Sequence, residues 1–461
     1  KMLSFITSFQ MIATGKNDFN QLGINSPSSY EEKFTKIPFK FTDISQSSEG
    51  TLFLNNSKLY GSGLSHRHQL GTTGKVNFTT PTKIDFFADI DVKQIALGLD
   101  HALILTNDGK LYSTGNNFHG QLGRPVGDNS QFGGNPPALV DTSFLNGEKI
   151  QRIATLYNAM SVIQTKMRLF VAGQCSYGVC GEIFGDQPLF KSVKLDQEIN
   201  MIHHMAVGSN NLYLKDQRNQ TWAIGYDHHG QMCQNTKQTD RRAFVKVASN
   251  ISQISALSQF TTLYLVGNDI YFCGEDPRQP QPQPPTQQSD QIDHQIDQFN
   301  QQTQNAKLNE KQTENPLGMQ LLQKNKQLLD FGISQRGILS LNSSGLFALG
   351  QSKSGSIGNG NGFFPTFTSI NSPKPELNSL QMGVENVFIF QKCSQSFKMI
   401  GGICQKEVRD QTAVIACTVV FSLALAAFAG LGTWVAVKTG ACKKKTEAEK
   451  KLAQPLVIEA K

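Results

Sequence analysis

The sequence predicts an all-β fold, a seven-bladed β-propeller closed by pairing of its N- and C-terminal segments, followed by one C-terminal transmembrane α-helix. Three observations lead to this prediction. A short glycine-turn pattern recurs seven times, and an internal period of about 50 residues is typical of a solenoid or a propeller. An apolar hairpin precedes every copy of the pattern except the first. Near the C-terminus, the chain carries no charged residue between Asp410 and Lys438.

Each copy of the repeat ends an apolar strand with a glycine, continues through a polar turn and closes on Gln-Leu-Gly or a variant of it. The segment Ile270–Gly274 opens a seventh copy that loses its second half. In the other six copies the first glycine and the closing position lie eight residues apart, at Gly15/Gly23, Gly63/Gly71, Gly115/Gly123, Gly173/Gly181, Gly225/Cys233 and Gly350/Gly358.

The hairpin before the third copy is the clearest. It runs along Ala102–Thr106, turns at Asn107-Asp108-Gly109 and returns along Lys110–Thr114. Apolar and β-branched residues on both sides of an Asp-Gly turn predict a β-hairpin. Small sheets repeated around a ring leave only short edges, so these hairpins favour a propeller. Four further hairpins are expected at Leu52–Tyr60, Leu212–Trp222, Leu263–Phe272 and Ile338–Phe347.

The two ends of the repeat region complement each other. The first copy, Met11–Gly15, has no hairpin before it. The missing half stands at the other end, as Ser379–Gly383 followed by Val387–Phe390. We therefore expect the first and last segments to complete one blade together, which makes seven blades.

The domain organisation follows from these patterns. The propeller is expected over residues 1–391, a juxtamembrane segment over 392–410, the span over 411–437 and a Lys-rich tail over 438–461. Residues 276–316 are rich in Pro and Gln and carry too little apolar surface to fold alone. They are interpreted as a solvated loop inserted between two blades, or as a surface that a partner holds.

The apolar run Ala413–Val437 has 25 residues. At about 1.5 Å per residue, a helix of this length crosses a hydrocarbon core of about 30 Å with some tilt. The positive-inside rule places the basic tail on the cytoplasmic or matrix side and the propeller on the opposite side, and a tail-anchored insertion would reverse this. We expect the membrane-interface anchors to be Trp434, Lys438, Lys443, Lys444 and Lys445.

Small residues recur every four positions within the span, at Ser422, Ala426 and Gly430. Such a stripe allows a partner helix to approach closely. The alternative is an Ala-rich helix that faces lipid and produces this spacing by chance.

The chain has eight cysteines, and most of them occupy positions defined by the repeat. Cys180 stands where other copies have Leu, so it is interpreted as a small buried apolar residue. The pair Cys175 and Cys180 is a weak metal signal, since its members belong to different positions of the repeat. Cys393 and Cys404 lie outside the repeats and are the best disulfide candidates if the propeller faces an oxidising space, with two free thiols as the alternative.

The histidines of the polar turns are interpreted as solvated turn residues rather than metal ligands. They are His66, His68, His119, His228 and His229.

Composition and motifs indicate no catalytic, cofactor-binding or metal site. The net charge of +7 is spread along the chain apart from the tail, and no basic stripe with interleaved aromatics indicates nucleic-acid binding. The glycine-rich run Gly358–Gly362 lacks the following Lys-Ser/Thr of a phosphate-binding loop. We therefore expect a protein that is not an enzyme, with no cofactor and no small-molecule substrate.

One segment resembles a known repeat family. Asp91–Gly98 with His101, then Asn107-Asp108-Gly109 and Gly115–Gly123, resembles the regulator of chromosome condensation repeat, and the resemblance extends over roughly Met11–Gln391. It implies a seven-bladed propeller. The family includes a nucleotide exchange factor for a small GTPase, scaffolds, ubiquitin-ligase modules and mitochondrial proteins, so fold alone leaves the function open.

The function expected from the sequence is a non-catalytic, membrane-anchored propeller, acting as an interaction scaffold or accessory subunit of a membrane complex. Its expected partners are the lipid bilayer and other membrane subunits, bound through the span and the propeller loops. The mitochondrial inner membrane, with a respiratory-chain complex, is the first expected location, and the plasma membrane or an endomembrane is the second. One alternative is an exchange-factor-like regulator of a small GTPase, with the long connection Arg124–Gly147 as its candidate wedge. Another is a surface receptor or adhesion module, which glycans on Asn55 or Asn77 would favour.

Overall fold

The computed structural model describes residues 9–125, 134–156, 159–234, 240–256, 258, 260–279, 319–324, 328–333, 337–342, 345–352, 362–370, 377–382, 386–391, 397–400 and 403–406. The chain divides into two compact units, Lys1–Gln405 and Lys406–Lys461, and the four-stranded sheets belong to the first. The boundary lies within the predicted juxtamembrane segment.

The described residues form seven four-stranded sheets and one two-stranded sheet, β29-β30. In chain order the strands are β1 (Phe9–Lys16), β2 (Tyr30–Phe41), β3 (Asp43–Gln46), β4 (Gly50–Asn55), β5 (Lys58–Ser65), β6 (Val76–Lys83), β7 (Val92–Leu97), β8 (His101–Thr106), β9 (Leu111–Gly115), β10 (Asn135–Leu139), β11 (Arg152–Leu156), β12 (Met160–Gln164), β13 (Leu169–Cys175), β14 (Gly185–Val193), β15 (Ile202–Val207), β16 (Asn211–Asp216), β17 (Gln220–Gly225), β18 (Arg241–Ser249), β19 (Ile251–Ser255), β20 (Thr261–Val266), β21 (Asp269–Gly274), β22 (Gln320–Lys324), β23 (Leu328–Ile333), β24 (Gly337–Asn342), β25 (Gly345–Ser352), β26 (Gly362–Ser369), β27 (Leu377–Met382), β28 (Asn386–Gln391), β29 (Phe397–Ile400) and β30 (Ile403–Lys406).

Six of the four-stranded sheets each consist of four consecutive antiparallel strands. They are called here sheet 1 (β3 to β6), sheet 2 (β7 to β10), sheet 3 (β11 to β14), sheet 4 (β15 to β18), sheet 5 (β19 to β22) and sheet 6 (β23 to β26). The predicted hairpins are confirmed, and in the clearest one Leu105 lies opposite Leu111. The all-β propeller class is therefore confirmed.

The remaining four-stranded sheet, sheet 7, joins the two ends of the repeat region. Its order is β2-β1-β28-β27. Met11 lies opposite Phe390 and Gly15 opposite Asn386, so β1 pairs directly with the last long strand. The expected pairing of the N- and C-terminal segments is thus observed.

The core lies between neighbouring sheets, because the middle strands bury both faces. All six residues of β8 are buried. Ala102 and Ile104 pack in a cluster with Leu52 of sheet 1, whereas Leu103 and Leu105 pack in another cluster with residues of sheet 3. Since successive side chains of a strand point to opposite faces, one strand contributes to two interfaces. Burial of apolar area on both sides, worth about 25 cal/mol per Å² removed from water, holds the sheets side by side.

Two short 3-10 turns complete the described secondary structure, at Asp85–Phe87 and Ser143–Leu145. Among the described residues, no helix is long and apolar enough to cross a membrane. The predicted span 411–437, the tail 438–461 and the insertion beyond residue 279 lie outside the described residues. The roles expected for residues of these segments therefore stay predictions. They are helix packing for Ser422, Ala426 and Gly430, and anchoring at the membrane interface for Trp434, Lys438, Lys443, Lys444 and Lys445.

Candidate partner-binding surface

The polar turn of the repeat is held by two side-chain hydrogen bonds. Positions in each turn are counted here from its first glycine as position 0. At position 6, a glutamine oxygen accepts a hydrogen bond from the backbone N–H of position 4. This bond recurs in four turns, with N to Oε1 distances of 2.9 Å (Phe19 to Gln21), 2.9 Å (Arg67 to Gln69), 2.9 Å (His119 to Gln121) and 3.0 Å (His229 to Gln231).

The second bond joins the side chain at position 2 to the backbone N–H of position 7. The polar side chain at position 2 is buried in all four of these turns because it satisfies this otherwise unpaired donor. The donor-to-acceptor distances are 3.1 Å (Leu22 to Asn17), 3.1 Å (Leu70 to Ser65), 3.0 Å (Leu122 to Asn117) and 2.8 Å (Met232 to Asp227). Positions 2 and 7 are therefore in direct contact within the folded turn.

The first glycine of the turn is required by close packing. Gly115 has φ of 108°, and a Cβ atom built on it would lie 2.4 Å from the carbonyl oxygen of Asp100. A larger residue would meet both a steric clash and an unfavourable backbone conformation.

The turn that begins at Gly173, in sheet 3, has cysteines at both contacting positions. Cys175, at position 2, and Cys180, at position 7, form a disulfide with a Cα–Cα distance of 5.5 Å. The covalent bond joins the two positions that a hydrogen bond joins in the other turns. Cys180 is buried, as expected, and the two cysteines occupy different positions of the repeat, but Cys180 is bonded to Cys175 rather than being a simple apolar residue.

A second disulfide joins two sheets. Cys233, at the closing position of the turn after β17, bonds Cys273 near the end of β21 in sheet 5, with a Cα–Cα distance of 5.3 Å. Sequence reasoning explained both residues by repeat position and missed this bond. Of the predicted pair, Cys393 lies outside the described residues and Cys404 lies in β30, so their pairing stays a prediction.

Position 4 contacts the next sheet in four of the turns. Arg67 forms a 2.8 Å ion pair with Asp100, His119 lies 3.0 Å from Asp186, and His229 lies 2.9 Å from Glu275. In the turn that begins at Gly173, position 4 is Tyr177, whose ring packs edge-on against Tyr226 of sheet 4 at 5.4 Å between centroids. His119 and His229 are therefore partly buried contact residues, and their interpretation as solvated turn residues is wrong.

Aromatic rings gather where the turns of sheets 3, 4 and 5 meet. Tyr226 stacks on His228 at 4.7 Å, and its hydroxyl lies 3.3 Å from Nε2 of His229. His229 in turn packs edge-on against Phe260 at 5.0 Å. Partial burial in this cluster raises the pKa of the Tyr226 hydroxyl. Nε2 of the neighbouring His228 lies 3.1 Å from the Asp240 carboxylate.

The aromatic cluster continues toward sheet 2. Phe184, just before β14, is 55% exposed, and the Arg242 guanidinium lies over its ring at 4.5 Å. Phe118 is 51% exposed and packs edge-on against His119. The whole strip extends across sheets 2 to 5 and is called here the aromatic rim. It comprises Phe118, His119, Tyr177, Phe184, Tyr226, His228, His229 and Phe260.

The aromatic rim has the composition of a protein-binding surface. Exposed aromatic residues with arginine are enriched at protein interfaces and in their hot spots. The cavity beside Tyr177, which Met160, Val179 and Asn210 help to line, has a volume of about 10 Å³. This is room for about one water molecule, which is too small for a small-molecule ligand. The described residues contain no cluster of three or more His, Cys, Asp or Glu side chains that could hold a metal ion.

The four-stranded sheets define the chain as a β-propeller protein. Models of the regulator of chromosome condensation (RCC1) repeat match residues 56–105 and 92–121. Residues 56–121 therefore carry repeats of the RCC1 type, within a propeller of four-stranded sheets.

Curated relatives match only parts of the chain. The human X-linked retinitis pigmentosa GTPase regulator is 32% identical over 126 residues, which are 27% of this chain and 12% of that protein. The ultraviolet-B receptor UVR8 of Arabidopsis thaliana is 27% identical over 182 residues, 38% of this chain and 39% of that protein. The matches thus span less than half the length of these relatives.

Solved structures match most of the chain in fold. Human WBSCR16 superposes with a TM-score of 0.65 at 16% identity, covering 84% of this chain and all 100% of that one. Yeast RCC1 (Prp20), solved with Kap60, superposes with a TM-score of 0.63 at 17% identity, covering 85% of this chain and 91% of that one. At this identity the likeness concerns the fold alone.

Proposed function

We propose that this protein is a non-catalytic propeller that binds another protein through the aromatic rim. The contiguous exposed surface across sheets 2 to 5 carries this proposal. Contacts between sheets hold its rings in place, including His119 to Asp186 and His229 to Glu275. A surface that is already ordered loses little conformational entropy on binding, which favours affinity.

The proposal is tested by affinity purification of the tagged full-length chain in detergent. The double variant Phe118→Ser/Phe184→Ser should reduce recovery of the main co-purifying protein at least about tenfold, because exposed aromatics dominate interface energies. Met167→Ser is the matched control, since Met167 is 52% exposed but precedes β13, at the end of that strand away from the rim. Equal recovery with both variants would contradict the proposal.

We further propose that the chain is an accessory subunit anchored in a membrane by residues 411–437, with the propeller on the side away from the basic tail. The two disulfides support this orientation, because disulfides persist in oxidising compartments and are rare in the cytosol. The mitochondrial inner membrane, with the propeller in the intermembrane space, is one location with this orientation, and a secretory membrane is the other. Protease protection in sealed organelles tests the orientation: a propeller digested while the membrane is intact would contradict it.

We also infer that the seven four-stranded sheets are the seven blades of one closed ring. The pairing of β1 with β28 and the apolar clusters shared by neighbouring sheets support this inference. Electron microscopy of the detergent-solubilised protein should show an annulus with seven blades, and an open arc would contradict closure.

A second candidate function is regulation of a small GTPase. One relative is named a GTPase regulator, and its match covers 126 residues of this chain. Within the candidate wedge Arg124–Gly147, a Cβ atom built on Gly134 would lie 2.1 Å from the carbonyl oxygen of Arg67, so this part of the wedge lies beside the turn of sheet 1. Faster nucleotide release from a co-purifying GTPase on addition of the propeller would support this function, and an unchanged release rate would exclude it for that GTPase.

A further inference from the structure

We propose that Asn77 carries an N-linked glycan, and that the propeller therefore resides in the secretory pathway or at the cell surface rather than in mitochondria. This inference rests on the proposed membrane orientation and is independent of the aromatic rim. Asn77-Phe78-Thr79 is one of five Asn-x-Ser/Thr sequons, the others beginning at Asn55, Asn219, Asn250 and Asn342.

The first argument is the compartment. All four cysteines of the two disulfides are at most 6% exposed. One bond joins positions 2 and 7 of the same turn, and the other joins the closing position of a turn to a strand of the next sheet. Such buried bonds are structural parts of the fold, and the secretory lumen, one of the compartments in which they form, is also the compartment in which asparagine is glycosylated.

The second argument is the position of Asn77. It lies in β6, the strand at one edge of sheet 1, where it is opposite Leu64. Asn77 and Thr79 are both exposed. Because side chains two residues apart in a strand point to the same side, the acceptor amide and the sequon hydroxyl both face solvent. A glycan attached there remains outside the fold.

The sequon at Asn55 lacks these properties. The Asn55 side-chain oxygen is buried. The hydroxyl of its sequon residue, Ser57, accepts a 3.2 Å hydrogen bond from Asn107 of sheet 2. A glycan on Asn55 would therefore have to turn a buried side chain outward.

Asn219 and Asn250 are exposed, but their side chains are hydrogen-bonded to each other. The Asn219 amide nitrogen donates a 3.3 Å hydrogen bond to the Asn250 side-chain oxygen. The backbone N–H of Asn250 also donates to the Asn219 carbonyl at 3.2 Å. The sequon residue Thr221 is fully buried, and the Ser252 hydroxyl donates to the Leu265 carbonyl. The structure thus selects Asn77 among the four sequons whose asparagine side chains it describes.

The test uses the full-length protein purified from its own membranes. Treatment with an amidase that removes N-glycans should lower the apparent mass on a gel by the mass of one glycan. It should also convert Asn77 to Asp, which peptide mass spectrometry detects. Asn77→Gln and Thr79→Ala should abolish the shift. Thr79→Ser keeps the sequon and should keep the shift, which separates loss of the acceptor from misfolding.

Absence of a shift and an unmodified Asn77 peptide would overturn the proposal, as would a glycan found only at another sequon. Recovery of the co-purifying partner is measured on the same Asn77→Gln sample. Because Asn77 is outside the aromatic rim, failure of glycosylation and failure of partner binding are distinguishable.

Discussion

The turns of sheet 2 and sheet 3 join the same two positions with different chemistry. In sheet 2 the Asn117 side chain accepts a hydrogen bond from the backbone of Leu122, whereas in sheet 3 Cys175 and Cys180 form a disulfide. The junctions between sheets differ in the same way. Thr114 donates to the His68 carbonyl between sheets 1 and 2, and Cys273 bonds Cys233 between sheets 4 and 5. A disulfide thus replaces a hydrogen bond within one turn, and another replaces a hydrogen bond at one junction between sheets.

The largest effect is expected from loss of the bond between sheets 4 and 5. Cys233→Ala/Cys273→Ala should lower the free energy of unfolding by about 4 kcal/mol in oxidising buffer, because the bond closes a loop of 40 residues in the unfolded chain. Denaturant titration measures the change. Cys233→Gly/Cys273→Thr introduces the residues found at Gly123 and Thr114 and should recover about 1 kcal/mol of it through a hydroxyl hydrogen bond. An alanine pair as stable as the wild type would contradict the role of this bond.

The pH dependence of stability should include a contribution from a buried histidine of sheet 2. His101 is fully buried with Nε2 3.1 Å from the Ser161 hydroxyl, and burial lowers its pKa to about 4, partly opposed by Asp100. The unfolded chain, with a pKa of about 6.5, binds the proton first, so stability should fall by up to about 3 kcal/mol as the pH decreases from about 6.5 to 4.

His101→Asn should remove this dependence, because Asn211 occupies the corresponding position in sheet 4. Urea denaturation at pH 7 and pH 4.5 measures the difference for both proteins. An equal loss of stability in the wild type and in His101→Asn would assign the acid sensitivity to other groups.

A smaller loss is expected in the turn of sheet 3. Cys175→Ala/Cys180→Ala should cost about 2 kcal/mol, because the disulfide closes a short loop with a separation of 5 residues. Cys175→Asn/Cys180→Leu copies the turn of sheet 2 and should be about 1 kcal/mol more stable than the alanine pair. Thermal unfolding compares the two double variants. Equal melting temperatures would show that the hydrogen bond of sheet 2 cannot replace the disulfide of sheet 3.

The smallest effect is expected from the hydrogen-bonded turn itself. Asn117→Ala should cost about 1 to 2 kcal/mol, because it leaves the buried N–H of Leu122 unpaired. Thr73→Ala, at an exposed position, should change stability by less than about 0.5 kcal/mol. Urea denaturation measures both, and similar small effects would contradict the structural role of position 2.

Much of this fold could be predicted because its signals are local. Alternation around Asn107-Asp108-Gly109 identifies a hairpin, and the eight-residue spacing from Gly115 to Gly123 identifies the turn that follows it. The pairing of β1 with β28 could be predicted by counting half-units. The aromatic rim could not be predicted from the sequence, because Phe184, Tyr226 and Phe260 belong to different sheets and no local pattern connects them.

By itself, the sequence determined the repeat, its hairpins and the joining of the two ends, since each depends on neighbours within about one turn or on a simple count. The tertiary structure alone decided which cysteines pair and which polar residues are buried. Cys175 and Cys180 appear unrelated in the sequence, and only the folding of the turn brings positions 2 and 7 into contact. Cys233 and Cys273 meet because two sheets pack through their apolar faces. The distance between the two cysteines therefore depends on the whole fold.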